Sequence, residues 1–129
     1  MPELNAIGIV ASDMATTIRF YRLLGLDVPE TPEEGHVEAP QPNGTRLMFD
    51  SEAVVKSFQS DWSRETGNQV SLAFECESPA DVDEVYARVT GGGFEGEKEP
   101  WDAFWGQRYA LLRDPDGVEV NLYAPLETA

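Results

Sequence analysis

The chain has 129 residues, of which 41% are apolar and 26% are charged, and its 24 acidic and 9 basic residues give a net charge of −15. This length and composition predict one globular domain. We expect no nucleic-acid partner, because a phosphate-binding surface needs clustered positive charge and the Lys and Arg residues are scattered. No apolar stretch approaches the roughly 18 to 20 residues of a membrane span, so no membrane partner is expected.

The beginning of the chain and its cysteine content indicate a compartment. The first residues lack the basic start and the apolar run of about 7 to 15 residues that a secretory signal requires. The single cysteine, Cys76, has no second cysteine for an internal disulfide or a thiolate cluster, which fits a reducing environment. We therefore expect a cytoplasmic protein that is stabilised by a packed core.

The first half of the chain predicts the element order β-α-β-β-β. A β-like segment over 6–11 precedes Asp13, a residue type that caps a helix, and apolar residues at helical spacing then run from Met14 to Leu24. Gly25 is placed where a helix ends. Extended segments follow at 26–28, 36–39 and 45–49, the last two separated by a turn rich in Pro, Asn and Gly.

The second half predicts the same order again. A shift of 65 residues places Ala6 on Ser71, Asp13 on Ser78 and Tyr21 on Tyr86, which indicates a weak internal repeat. A helix with a capping Ser and Pro at its first position begins near residue 79. Extended segments are predicted at 71–76, 94–98, 107–113 and 118–123. Together these elements predict module one at 4–50, a connector with a short helix at 51–68 and module two at 69–125.

Alternation along the strands separates a bulky apolar face from a small or polar face. In the last strand, Val120 and Leu122 oppose Asn121 and Tyr123. We expect the helices to cover the apolar faces. The other faces carry small residues that lack the volume to fill an interior at the usual density, so they predict a concave space that holds a ligand.

Several motifs in fixed order resemble the vicinal oxygen chelate superfamily, which includes glyoxalase I, dioxygenases and bleomycin resistance proteins. The motifs are Val10-Ala11-Ser12-Asp13, Phe20-Tyr21, Leu24-Gly25-Leu26, Phe104-Trp105-Gly106-Gln107-Arg108 and Asp114-Pro115-Asp116-Gly117. The resemblance implies an α+β fold of two βαβββ modules that form cup-shaped mixed sheets with helices on the outer faces. It also implies that two chains pair in a homodimer.

The resemblance also locates the positions where enzymes of this superfamily hold a divalent metal. Those positions read Ala6, Ser71 and Asn121 here, in place of two His and one Glu. A methyl group has no lone pair, and a hydroxyl or amide oxygen is a poor ligand for a transition metal. The resemblance therefore implies no metal, no cofactor and no catalytic residue, and it is closest to the metal-free bleomycin resistance branch.

Ten residues are predicted to contact a ligand, since alternation or the resemblance places them toward the cavity: Arg46, Met48, Trp62, Trp101, Phe104, Trp105, Gln107, Tyr109, Asn121 and Tyr123. Aromatic rings supply large contact areas and stack on planar or cationic groups. For each ring taken singly, the alternative to ligand contact is packing in the hydrophobic core. A surface role for Arg46, gap filling for Met48 and helix packing for Trp62 are the corresponding alternatives.

The leading hypothesis is a homodimeric, cofactor-independent protein that sequesters an aromatic small molecule and thereby confers antibiotic resistance. The acidic charge has two interpretations, a solvated surface or attraction of a cationic ligand. The alternative function is a glyoxalase-like, lyase or isomerase enzyme of the same fold with an atypical or absent metal site. Either Glu75 and Glu119 supply oxygen ligands to a relocated metal site, or the enzyme acts without a metal on an aldehyde or enolate substrate. A third hypothesis is a structural or regulatory dimer with a vestigial cavity.

Overall fold

The computed structural model describes residues 2–31, 33–65 and 70–126, and it shows a mixed α+β fold with two sheets. The elements, in chain order, are β1 (Ala6–Ala11), α1 (Met14–Leu24), β2 (His36–Pro40), β3 (Arg46–Ser51), α2 (Glu52–Phe58), β4 (Ser71–Glu75), α3 (Pro79–Gly91), β5 (Gly96–Ala103), β6 (Gln107–Arg113) and β7 (Glu119–Pro125). The chain divides into two compact units, unit 1 (Met1–Thr66) and unit 2 (Gly67–Ala129). The end of the predicted connector, 66–68, lies outside the described residues.

Unit 1 contains a sheet in the order β1-β3-β2, with β1 parallel and β2 antiparallel to β3. Helix α1 packs on β3, and α2 packs on β1 and β3. The core is aromatic at its centre, where the ring of Tyr21 lies 4.9 Å from those of Phe20 and Phe49. All three side chains are fully buried, so these rings serve packing.

The ends of α1 agree with the sequence prediction. The Asp13 carboxylate accepts a hydrogen bond from the Thr16 N–H at 3.3 Å, which satisfies one of the unpaired donors of the first turn. Gly25 ends the helix in the left-handed region at φ 116°, which a glycine adopts without steric cost.

The strand predicted at 26–28 is wrong. The Leu26 N–H donates to the Tyr21 carbonyl and the Val28 N–H donates to the Leu26 carbonyl, at 3.0 and 3.1 Å. Arg22 Nη1 donates a hydrogen bond to the Val28 carbonyl oxygen at 2.7 Å. These local bonds use the backbone groups that a strand would offer to a neighbour, so the described part of unit 1 has the order βαββα instead of βαβββ.

Unit 2 contains a sheet in the order β4-β7-β6-β5, in which β4 is parallel to β7 and the other pairs are antiparallel. Helix α3 packs across β5, β6 and β7 through Val82, Val85 and Val89. It begins as predicted, with the Ser78 hydroxyl accepting from the Asp81 N–H at 3.1 Å and a proline in the first turn. The described helices include none that is both long and apolar enough to cross a bilayer.

Strand β5 extends to Ala103, well beyond the predicted extended segment at 94–98. It carries Pro100 and several charges, a composition that is tolerated at the edge of a sheet. Its register against β6 shifts twice: Lys98 pairs with Leu111 and Trp101 with Tyr109, so three steps along β5 match two along β6. The extra residue forms a β-bulge, which changes the direction of the side chains that follow it.

A close approach between α3 and β5 makes Gly96 sensitive to substitution. A Cβ at this position would lie 2.7 Å from Tyr86 Cζ and 2.9 Å from Thr90 Cγ2, whereas a Cβ at Gly91 would meet no atom within 4 Å. We expect Gly96→Ala to lower the free energy of unfolding by about 1–3 kcal/mol through overpacking. The control Gly91→Ala should leave it unchanged or raise it by up to about 1 kcal/mol. Equal urea midpoints for the two variants would contradict this packing.

Candidate functional site

Three aromatic side chains form a row on the face of the unit 2 sheet opposite α3. The strand register pairs Trp101 with Tyr109 and Tyr109 with Tyr123. The centroids of the Trp101 and Tyr109 rings are 5.7 Å apart at 68°, and those of Tyr109 and Tyr123 are 6.2 Å apart at 25°. One step further across the sheet, Tyr123 is in register with Glu75, whose side chain is exposed.

The turn between β5 and β6 adds two more rings to this row. The ring of Trp105 lies edge-on to Trp101 at 6.0 Å and to Tyr109 at 5.3 Å. The ring of Phe104 lies 5.0 Å from that of Trp105. Gly106 makes the turn possible with a φ of 89°. We call the five side chains Trp101, Phe104, Trp105, Tyr109 and Tyr123 the aromatic shelf.

The outer rings of the aromatic shelf are open to solvent. Phe104 is 96% exposed and Trp105 is 47% exposed, while the other three rings are half-buried. Phe104 and Trp105 are therefore not core residues. Single exposed apolar residues are common, but a cluster of large exposed rings is typical of a binding surface.

Two hydrogen bonds fix the orientation of rings in the aromatic shelf. The Trp105 indole Nε1–H donates to Gln107 Oε1 at 2.9 Å, and Asn121 Nδ2 donates to the Tyr109 hydroxyl oxygen at 2.9 Å. Asn121 is only 7% exposed, and its Oδ1 is buried with no hydrogen-bond partner among the described residues. An unpaired buried acceptor costs about 1–3 kcal/mol, so an apolar residue at this position would be expected to stabilise the fold better.

The charged groups near the aromatic shelf are Lys98, which lies over one of its rings, and two glutamates that lie far apart along the sheet. Lys98 Nζ lies 3.9 Å from the centroid of the Trp101 ring, a cation–π contact. Glu119 is in register with Ser71, four residues from Glu75 along β4. Four residues of strand span about 13 Å, a separation that disfavours a metal ion shared by Glu75 and Glu119.

A charged network occupies the corresponding face of the unit 1 sheet. The two ring nitrogens of His36 lie 2.6 Å from Asp50 Oδ1 and 2.7 Å from Glu38 Oε2. Glu38 also accepts a hydrogen bond from Arg46 Nη1 at 2.6 Å. Met48 lies in register with Glu38 on the neighbouring strand. Arg46 and Met48 therefore both lie beside Glu38, and the Glu38 carboxylate holds the Arg46 guanidinium.

The network shifts the ionisation of its members. Hydrogen bonds to Glu38 and then to Asp50 raise the pKa of His36 above 6.5, because a carboxylate at each ring nitrogen favours the imidazolium. The pKa of Glu38 is lowered by its bonds to His36 and to Arg46. His36 and Glu38 are therefore both charged between the lowered pKa of Glu38 and the raised pKa of His36.

Trp62 lies in the segment that follows α2 in unit 1. The guanidinium carbon of Arg64 is 5.5 Å from the centroid of its ring. Arg64 Nη2 in turn donates to Glu52 Oε2 at 2.7 Å and to the Val10 carbonyl at 3.2 Å. In unit 2, the structure thus brings the five rings together with Gln107 and Asn121. In unit 1, Arg46 lies next to Met48, and Trp62 lies beside Arg64.

The residues at the metal positions of related enzymes do not fit a metal ion. Ala6 has no donor atom, and the Asn121 amide is turned to the Tyr109 hydroxyl. Within residues 2–31, 33–65 and 70–126, no three His, Cys, Asp or Glu side chains are arranged to hold one. Burial raises the pKa of the half-buried Cys76 thiol to about 11, so it stays protonated at neutral pH and is a weak nucleophile.

Sequence reasoning missed Lys98, His36 and the carboxylates of Glu38 and Asp50. Lys98 is placed by a bulge, for which the sequence offers little signal beyond the proline that follows at position 100. The His36 network had a usable signal, since pairing 36–40 against 46–50 through the intervening turn brings these polar residues together.

The charged network predicts a pH-dependent contribution of His36 to stability. Because its folded pKa is raised, this contribution is present below pH 6.5 and is lost as the pH rises through the raised pKa. We expect His36→Gln to lower the melting temperature more at about pH 5.5 than at about pH 9. Differential scanning fluorimetry of both proteins at the two pH values measures this difference. An equal loss at both values would show that the imidazolium contributes nothing.

Comparisons with known proteins agree with this architecture. The family model "Glyoxalase/Bleomycin resistance protein/Dioxygenase superfamily" matches residues 3–122. A search of curated protein sequences finds no match. Among solved structures, a glyoxalase/bleomycin resistance protein/dioxygenase family enzyme from Burkholderia phytofirmans is 18% identical, with a TM-score of 0.82 over 97% of this chain and 100% of that chain.

Two further structures have the same fold. A glyoxalase-related enzyme from Fulvimarina pelagi is 17% identical, with a TM-score of 0.81 over 96% of this chain and 88% of that chain. A glyoxalase/bleomycin resistance protein/dioxygenase from Nocardioides is 23% identical, with a TM-score of 0.75 over 100% and 87%. The match to the family model covers most of the chain, and the chain belongs to the glyoxalase/bleomycin resistance protein/dioxygenase superfamily.

Proposed function

We propose that this chain is a cofactor-independent binding protein that sequesters a planar aromatic small molecule on the aromatic shelf. The observation that carries the proposal is the row of half-buried rings from Trp101 through Tyr109 to Tyr123, with the exposed ring of Trp105 edge-on beside it. A planar ligand on this row would cover apolar area on several rings at once. Such burial stabilises a complex by roughly 25 cal/mol per Å² of apolar surface.

The fixed orientation of the rings supports binding with little loss of entropy. Gln107 holds the Trp105 indole and Asn121 holds the Tyr109 hydroxyl before any ligand arrives. Preorganised rings gain more net affinity per contact than mobile ones. Each favourable ring pair adds about 0.5–1.5 kcal/mol beyond the area term.

The chemistry of the shelf supports retention of the ligand unchanged. Tyr109 accepts a hydrogen bond from an amide, and Glu75 lies at the exposed end of the row. Neither arrangement pairs a nucleophile with a base, as covalent catalysis requires. Protection by sequestration needs only binding energy, so the proposed role is resistance to an aromatic antibiotic or a related natural product.

The setting of this role is also part of the proposal. A single half-buried cysteine suits a reducing cytoplasm. The family resemblance favours a homodimer, which size-exclusion chromatography with light scattering would detect. Contacts of the ligand with Arg46, Met48 and Trp62 stay predictions of the sequence.

Replacement of one ring tests the proposal. A thermal-shift screen against planar aromatic antibiotics should identify compounds that raise the melting temperature, since binding only to the native state stabilises it by mass action. Trp105→Ala should weaken a compound found in this way by about tenfold or more, as measured by fluorescence titration. The matched control is Phe58→Ala, which removes a ring that is 68% exposed on α2 of unit 1 and should leave affinity unchanged.

Two results would contradict the proposal. Equal affinity of the wild-type protein and Trp105→Ala for every compound would show that the aromatic shelf does not bind them. Elemental analysis provides the second test: a stoichiometric divalent ion that returns after removal by a chelator would favour the enzymatic alternative over cofactor-independent binding.

A further inference from the structure

We propose that the ligand of the aromatic shelf is an aromatic anion, whose carboxylate or similar acidic group pairs with the Lys98 ammonium while its ring lies on Trp101 and its neighbours. This inference rests on the proposed function and adds the charge of the ligand to it. It also replaces the interpretation in which the net charge of −15 attracts a cationic ligand.

The β-bulge in β5 places the ammonium on the aromatic shelf. In a regular strand, residues three apart point to opposite faces, so Lys98 and Trp101 would be separated by the sheet. The extra residue between their two register pairs brings both side chains to one face, and Lys98 Nζ lies 3.9 Å from the Trp101 centroid. Bulges of this kind often position side chains next to binding sites.

The Lys98 ammonium has no carboxylate within ion-pair distance among the described residues. The acidic residues of its own strand are engaged elsewhere: Glu97 pairs with Arg113 at 2.7 Å and Asp102 pairs with Arg108 at 3.1 Å. Glu99 lies near Tyr86 of α3, since its charge, after burial, raises the pKa of Tyr86. In a chain with this excess of acid, a cation that has no carboxylate within ion-pair distance in the described part of the chain, and that lies beside exposed rings, is an available anion site.

The same geometry disfavours a cationic ligand. The face of Trp101 that would stabilise a ligand cation already holds the Lys98 ammonium, so such a ligand would have to displace it or accept like-charge repulsion. An anion would instead keep the cation–π contact and add a charge-assisted hydrogen bond. The remaining acidic surface acts weakly at this point, because charges beyond about 8 Å are screened at physiological ionic strength.

Three probes with one ring system and different charges test the inference: naphthoate, neutral naphthamide and naphthylmethylammonium. The wild-type protein should bind naphthoate more tightly than naphthylmethylammonium. Lys98→Met, which keeps an unbranched side chain one atom shorter and without the charge, should weaken naphthoate binding about three- to tenfold and change naphthamide binding by less than about twofold. Isothermal titration calorimetry measures all three affinities at one ionic strength.

The matched control is Lys56→Met, which removes the same charge from an exposed position on α2 of unit 1 and should leave all three affinities unchanged. Unchanged naphthoate binding in Lys98→Met would overturn the inference, and so would an equal loss for all three probes, since that would show that Lys98 acts only by packing. Binding of naphthamide that Trp105→Ala weakens would leave the proposed function standing in either case. Failure of every probe to bind the wild-type protein would contradict this inference, while the screen of planar aromatic antibiotics with Trp105→Ala decides the proposed function separately.

Discussion

The register between β5 and β6 is the constraint on which the candidate site depends. It places Trp101 opposite Tyr109, and the adjoining pair of Tyr109 with Tyr123 continues the row onto β7. The bulge within the same pairing brings Lys98 over the Trp101 ring. Since backbone hydrogen bonds hold this register, the relative positions of the Trp101, Tyr109 and Tyr123 rings and of the Lys98 ammonium are set by the sheet.

The two units carry related topologies but place different chemistry on their sheets. The order β1-β3-β2 in unit 1 corresponds to β4-β7-β6 in unit 2, and unit 2 adds β5 at the edge. This additional strand and the turn after it supply Lys98, Trp101, Phe104 and Trp105. Unit 1 has instead the network of His36, Glu38, Asp50 and Arg46, in which the charges are paired with one another. The aromatic rings and the Lys98 ammonium on which the proposed binding depends are therefore concentrated in unit 2.

Local sequence signals predicted most elements because the physical causes are local. Caps at Asp13 and Ser78 and a stop at Gly25 act within one helical turn, so the starts of α1 and α3 and the end of α1 agree with expectation. The sequence predicts an extended segment at 26–28, yet its backbone groups bond to Tyr21, Leu26 and Arg22. Composition alone does not reveal where backbone hydrogen bonds will go, and the bulge in β5 escaped prediction for the same reason.

Motif order, capping and alternation are properties of neighbouring positions, so the family, the helices, the two faces of each sheet and the aromatic candidates follow from the sequence. Which of these candidates lie together depends on tertiary contacts. Cross-strand pairing brought together Trp101, Tyr109 and Tyr123 in unit 2, turned Asn121 toward Tyr109 and separated Glu75 from Glu119. Pairing between strands depends on register, and a single inserted residue changes which side chains share a face.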